Sequence, residues 1–170
     1  MLGVFLLAGL ASELGLLSAF GLLGPGPAQA SVGGSDLPFT GSFAGSSAHN
    51  LATGEFHSAW TGEASHFGIS NLEQQAQVAF TGPTTLSYSG TWTLTAANGD
   101  QLYGTAVGTG VRTDATHITL AIDYKATGGT GRFADASATF TVTAHHARTA
   151  LENGISYGEQ QATLDGHLSW

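Results

Sequence analysis

Seven histidines are the side chains of this chain best suited to acid–base chemistry or metal binding at neutral pH. His145 and His146 are adjacent, so on a β-strand they would point to opposite faces and could not hold one ion together. No two histidines have the i, i+2 spacing that places a pair on one face of a strand. The chain has no cysteine, which excludes thiolate ligands, cysteine nucleophiles and disulfides. We therefore predict no metal site.

One histidine, His66, has a sequence context that favours a binding pocket. His66 shares the parity of Trp60 and Ala64, so a strand through this segment would place the three side chains on one face. The same alternation directs further aromatic and amide side chains inward, and small-molecule pockets combine such apolar walls with a few polar groups. We predict a ligand-binding pocket formed by Trp60, His66, Gln74, Tyr88, Trp92 and Tyr124. His66 and Tyr88 are the candidate catalytic residues, since each could polarise a substrate carbonyl.

Other chemistries are not indicated. The four basic residues are scattered among twelve acidic ones, so no cluster could displace counterions from phosphates, and nucleic acid is excluded as a partner. The chain lacks a Gly-x-Ser-x-Gly elbow between a strand and a helix, and its acidic residues lie mostly in loops or at outward positions. Hydrolase activity is therefore not expected.

The elements that must position the pocket are β-strands. From Phe39 onward the apolar residues recur with period two, most clearly in residues 85–96, where large apolar side chains alternate with Thr and Ser. Asn98-Gly99 and Asn153-Gly154 supply the positive φ angles of tight hairpin turns. We predict eight strands, around Phe39 and Phe43 and over residues 56–66, 72–80, 85–96, 101–112, 117–126, 136–145 and 160–170.

Eight short antiparallel strands predict an all-β fold in which a closed barrel removes both exposed sheet edges. A sandwich of two sheets is the alternative, and the short hairpin connections favour the barrel. The interior of an eight-stranded barrel has room for packed side chains or for one small ligand. The six predicted pocket residues could therefore line a cavity, or they could fill the barrel, with His66 as a core or rim residue.

The first part of the chain predicts an export signal. Residues 2–23 are nearly continuously apolar, and a Gly-Pro-Gly-Pro run separates them from Ala28 and Ala30, which have the spacing of a signal-peptidase site. No Lys or Arg precedes position 112, so the basic start of a signal peptide is missing. A start site placed too far downstream would explain this missing segment. An uncleaved membrane anchor and a core helix are the alternatives. We predict a leader helix and signal peptide over 1–30, a linker over 31–36 and a barrel domain over 37–170.

Three stretches carry a family resemblance: Gly62–Gly68 (GEASHFG), Thr95–Leu102 (TAANGDQL) and Thr127–Ala134 (TGGTGRFA). In this order they resemble the allene oxide cyclase-like barrel proteins of bacteria, relatives in shape of plant allene oxide cyclases and dirigent proteins. The resemblance covers about residues 37–170 and implies an eight-stranded antiparallel barrel of the calycin type, in a homodimer or homotrimer. Characterised relatives hold a hydrophobic polyene or polyketide in the barrel and steer its cyclisation.

The Gly-Gly-Thr-Gly-Arg-Phe run also has a direct physical interpretation. Its glycines permit a tight turn, after which Phe133 could plug one end of the barrel while Arg132 pairs with a carboxylate. A phosphate-binding loop would need a following helix, whereas the next residues have the alternation of a strand. We therefore predict a structural turn.

These observations favour an exported, non-catalytic barrel that binds an apolar small molecule or serves as a structural envelope module. The mature protein would then be secreted or held in the periplasm or cell envelope, outside the membrane and without a cofactor. One alternative is a cofactor-free cyclase or isomerase, in which the cavity holds one folded substrate conformer. Another is an interaction module whose Thr- and Ser-rich exterior meets polymers or sister subunits.

Overall fold

A computed structural model describes residues 34–170, and the predicted leader over 1–30 lies outside this range. The described residues form eight antiparallel strands, each paired with the next, and β8 pairs with β1 to close a barrel. No helix in this range is long and apolar enough to span a membrane. Closure through the pairing of β8 with β1 confirms the predicted eight-stranded barrel and excludes the sandwich of two sheets. The strands are β1 (Leu37–Asn50), β2 (Glu55–Ala64), β3 (Gly68–Phe80), β4 (Thr85–Ala96), β5 (Gln101–Arg112), β6 (His117–Gly129), β7 (Ser137–Glu152) and β8 (Ile155–Ser169).

Alternation along each strand separates the barrel interior from its surface. On β4 the large apolar side chains are buried inside, whereas the intervening Thr and Ser residues face outward. Gly90 also faces inward, and a Cβ atom there would overlap the carbonyl oxygen of Gln75 and the Cα atom of Ala76 on β3. The two strands therefore approach too closely for a side chain, which is how an inward glycine allows a small barrel to coil.

One end of the barrel, here called the closed end, is plugged by aromatic rings. Between β6 and β7 a single turn of 3₁₀ helix, Gly131–Phe133, places the Phe133 ring inside, where it is fully buried. This ring stacks on Phe67 with centroids 4.1 Å apart and contacts Trp170 edge-on at 5.8 Å. Phe67 in turn packs against Phe39 of β1. The predicted role of Phe133 as a plug is confirmed.

Arg132 fastens this plug to the neighbouring turns. Its Nε atom lies 3.6 Å from Oδ2 of Asp100, which is the predicted pairing with a carboxylate. Its Nη2 group donates a hydrogen bond of 2.7 Å to the backbone oxygen of His66. The turns after β2, β4 and β6 are thus joined at the closed end.

Candidate functional site

The middle of the barrel is filled by side chains. Trp92, Tyr124 and Phe140 are buried, and their ring centroids lie 4.9–5.6 Å apart. The indole N–H of Trp92 donates to the backbone oxygen of Thr105 at 3.0 Å, so its polar atom is satisfied. Trp92 and Tyr124 point inward as predicted, but they pack on one another and on Phe140 at this level.

Gln74 joins two tyrosines in the interior. The hydroxyl groups of Tyr88 and Tyr124 donate to its Oε1 atom at 2.6 and 2.7 Å. Its Nε2 group is buried and has no hydrogen-bond partner in the described part of the chain. Burial raises the pKa of both tyrosines well above the ordinary value, so both hydroxyls stay protonated and act as donors. Tyr88 is therefore unsuited to act as a base. Its hydroxyl already donates a hydrogen bond to Gln74, so it is not free to donate one to a substrate.

A layer of polar side chains crosses the barrel beside this pair. Ser47 lies opposite Ser58, and Ser58 lies opposite Gln74, so three neighbouring strands contribute at one level. On the other side His146 lies opposite Gln160, and the imidazole Nδ1 atom is 3.3 Å from the Ser47 hydroxyl and 3.4 Å from Nε2 of Gln160. The hydroxyl of Ser58 and the Oε1 atom of Gln160 are buried, and neither has a hydrogen-bond partner among residues 34–170. We call this set the polar layer: Ser47, Ser58, Gln74, Tyr88, His146 and Gln160.

The end opposite the plug opens into a pocket, here called the mouth pocket. It encloses a cavity of about 30 Å³, which has room for a water molecule or for the polar head of a ligand. Its floor is polar, its walls are apolar, and its rim carries the exposed side chains of Leu51 and Phe80. The lining residues are His49, Leu51, Phe56, Val78, Phe80, Leu86, Tyr88, Ile118, Leu120, His146, Arg148, Ser156 and Gln160.

Larger depressions lie on the outer surface of the barrel. One of them, of about 600 Å³, crosses β1 at Ala44, Gly45 and Ser46, and His145 and Glu159 border it. Its lining includes small outward residues of β1 and β2, among them Ala44, Ser46 and Ala59. The groove is broad and open to solvent, whereas the mouth pocket combines enclosure with apolar walls and buried polar groups. The mouth pocket is therefore the better candidate for a binding site.

The predicted orientation of His66 is wrong. β2 ends at Ala64, and His66 lies in the following turn with a φ of +69°, so strand alternation no longer applies to it. Its side chain is exposed on the outside of the closed end, where Nε2 lies 3.1 Å from the backbone oxygen of Pro38 and the ring packs against Trp170. His66 thus lies outside the interior in which its proposed polarising role would have operated.

The other five predicted pocket residues face the interior, at different levels. Tyr88 lines the mouth pocket and Gln74 is hydrogen-bonded to it. Trp60 is buried deeper, with its indole N–H unpaired, and Trp92 and Tyr124 belong to the packed middle. The structure therefore does not bring the predicted set together around one cavity.

Sequence reasoning missed most of the polar layer, and it missed Arg148, the charged residue of the mouth pocket. Strand β7 continues past residue 145 to Glu152, so its inward parity extends to His146 and Arg148. The predicted opposite orientation of His145 and His146 is confirmed, with His146 on the inner side. Likewise β8 begins at Ile155, which places Ser156 and Gln160 on the inner face. Extending the alternation through the whole hairpin would have found these residues.

Two histidines share the mouth pocket with one arginine. Burial lowers the pKa of His49 and His146, and the positive charge of Arg148 lowers both further. The two imidazoles are therefore neutral at pH 7, and Arg148 carries the permanent charge of the pocket. Within residues 34–170, no group of three or more His, Cys, Asp or Glu side chains is arranged to hold a metal ion.

The mouth pocket and the polar layer define what kind of site the barrel offers: neutral hydrogen-bonding groups, one guanidinium and an apolar rim. No family model, curated protein or solved structure matches the chain. The function is therefore inferred from the residues of the pocket and from their geometry.

The lowered pKa values of the two histidines predict a pH dependence of stability. The unfolded chain binds protons at the ordinary His pKa of 6.5, whereas the folded chain resists protonation of His49 and His146, so the free energy of unfolding falls as the pH drops below 6.5. The variant His146→Gln is expected to reduce this slope. Urea unfolding between about pH 5 and 8 measures it. An unchanged slope in His146→Gln, equal to that of the exposed-site control His57→Gln, would contradict the assignment.

Proposed function

We propose that this chain is an exported, non-catalytic barrel that binds a small amphipathic molecule at the mouth pocket. The observation that supports this function is a cavity beneath an apolar rim, lined by Gln160, whose buried Oε1 atom has no partner within residues 34–170. Export rests on the apolar leader and on the Ala28-x-Ala30 site. The sequence stretches described above support a place among allene oxide cyclase-like barrels of the calycin type, and homodimers or homotrimers remain an expectation from that resemblance.

Unpartnered buried polar atoms favour a ligand because each costs about 1–3 kcal/mol when it is left without a hydrogen bond. Two residues that line the cavity carry such atoms: Gln160 has a buried Oε1 acceptor and His49 a buried Nε2 atom, both without a partner within residues 34–170. A ligand head group that enters the cavity can satisfy such atoms. The exposed apolar side chains of Leu51 and Phe80 can then cover the rest of the molecule.

A cofactor-free cyclase is less well supported. Such an enzyme would need space to hold a folded polyene inside the barrel, and Trp92, Tyr124 and Phe140 occupy the middle. Of the two candidate catalytic residues, His66 lies outside the barrel interior, and the Tyr88 hydroxyl already donates its hydrogen bond to Gln74. Binding at the mouth requires neither an open middle nor a free base.

Thermal-shift measurements with a matched pair of variants test the binding site. Ile118 is a half-buried rim residue, and Val111 is an exposed outward residue on the adjacent strand. Ile118→Trp should block the mouth, whereas Val111→Trp adds the same bulk on the outer surface. We expect short-chain alcohols or carboxylates to raise the Tm of the native protein and of Val111→Trp, because a ligand that binds only the folded state stabilises it. In Ile118→Trp the rise should be lost.

Native mass spectrometry of the purified protein is the complementary measurement, and it should show a retained small molecule in the native protein but not in Ile118→Trp. If no amphiphile raises Tm and no molecule is retained, the proposed function is wrong. An equal Tm rise in Ile118→Trp and Val111→Trp would place binding elsewhere on the barrel.

A further inference from the structure

We propose that the ligand of the mouth pocket is a small organic anion, a monocarboxylate with an apolar body, and that Arg148 binds its carboxylate. This inference rests on the proposed function of the pocket and specifies the chemistry of the ligand. Arg148 is half-buried and lines the cavity. The ladder between β7 and β8 shifts register between Arg148 and Ala150, and such a bulge is a common device for aiming a side chain.

The guanidinium of Arg148 has little of its bonding capacity satisfied by the protein. Its hydrogen bond within the described range runs from Nε to the hydroxyl of Ser156 at 3.1 Å. A guanidinium offers five N–H donors in a planar fork that matches the two oxygens of a carboxylate. The two terminal nitrogens therefore remain to bind an anion.

The absence of a carboxylate partner is informative in so acidic a chain. The protein has twelve acidic and four basic residues, yet Arg148 forms no ion pair within residues 34–170. None of the described acidic residues at this end of the barrel forms an ion pair with it. Glu55 accepts a hydrogen bond from Thr53, and Asp114 accepts several from its own turn. Glu152 is exposed at the end of β7, and Glu159 faces outward on β8. Among the described residues, no acidic side chain lines the mouth pocket.

The neighbours of Arg148 are suited to one negative charge. His49 and His146 add no charge of their own at pH 7, and each neutral imidazole can donate one hydrogen bond. The cavity of about 30 Å³ admits a head group such as a carboxylate and leaves the remainder of the ligand against the apolar rim. Arg148 is the guanidinium that lines the cavity, whereas that of Arg112 lies over the rim ring of Phe80, 4.4 Å from its centroid and outside the lining. One lining charge above neutral donors favours a monoanion over a more highly charged phosphate ester.

Matched ligand pairs test the charge of the head group. Isothermal titration at neutral pH would compare the straight-chain carboxylates from butanoate to decanoate with the alcohols of the same length. We expect the best carboxylate to bind about tenfold or more tightly than its alcohol, a difference of about 1.4 kcal/mol. Arg148→Gln should remove that preference and leave alcohol binding within about twofold. Arg148→Lys, which keeps the charge but loses the fork, should retain part of the preference.

Lys125→Gln is the matched charge control, because Lys125 is exposed on the outer face of β6 and removing it changes the net charge equally. It should keep the full preference, and thermal melts should show that each variant is folded. Alcohols that bind as tightly as carboxylates, or a preference that survives Arg148→Gln, would overturn the anion inference while leaving the pocket intact. If neither ligand class binds the native protein, the proposed function and this inference both fail.

Discussion

Phe133→Ala is expected to lower the free energy of unfolding by about 3–5 kcal/mol, the usual loss for a buried Phe truncated to Ala. The ring is fully buried, stacks on Phe67 and contacts Trp170, so its removal leaves a void beneath the closed end. Domains of this size are stable by about 5–15 kcal/mol, so the loss is a large share of the total. Equilibrium unfolding in urea, followed by tryptophan fluorescence, measures it.

Two further variants separate the plug from general effects of truncation. Ile69→Ala removes a side chain that is 64% exposed and should change stability by no more than about 0.5 kcal/mol. Phe133→Leu keeps most of the buried volume and should lose less than Phe133→Ala. If Phe133→Ala and Ile69→Ala have the same free energy of unfolding, the Phe133 ring does not stabilise the closed end.

Gln74→Leu is expected to lower the free energy of unfolding by about 2–6 kcal/mol, because it removes the acceptor of two buried hydroxyl groups at about 1–3 kcal/mol each. Tyr88 and Tyr124 both donate to the one Oε1 atom, at 2.6 and 2.7 Å. The large effect thus comes from the tyrosines that remain rather than from the glutamine itself. The same urea titration measures it.

The triple variant Gln74→Leu, Tyr88→Phe, Tyr124→Phe supplies the control. It removes the donors together with the acceptor, so most of the stability lost in Gln74→Leu should return, because replacing all partners of a buried hydrogen bond by apolar groups is nearly neutral. A triple variant as unstable as Gln74→Leu would show that the loss arises from packing. The hydrogen bonds of Gln74 would then not be the cause.

The fold could be predicted from the sequence because a barrel strand must alternate between inward apolar residues and outward polar ones. Leu86, Tyr88, Trp92 and Leu94 alternate with hydroxyl residues, and all four are buried inside. The rule fails where a strand ends. His66 follows β2 by two residues, and the positive φ of its turn directs its side chain away from the interior that its parity suggested.

The candidate site was harder to predict because polar residues give no hydrophobic signal at the ends of strands. His146, Arg148 and Gln160 share the inward parity of their strands, but the inward positions between Ala144 and Ala150 on β7, and before Ala162 on β8, carry polar residues or glycine. Closure of the barrel then brings β1, β7 and β8 together, so that Ser47 meets His146 across 99 residues of sequence. Contacts of that separation depend on the complete topology rather than on any local pattern.

Isoleucine methyl NMR tests the central claim, that the mouth pocket is the binding site, most directly. The chain has four isoleucines, of which Ile118 lies at the mouth pocket and Ile69 is exposed at the start of β3, near the closed end. When octanoate is added, the Cδ1 methyl signal of Ile118 should shift the most and that of Ile69 should stay in place. Movement of the Ile69 signal with no change at Ile118 would contradict the assignment of the mouth pocket as the binding site.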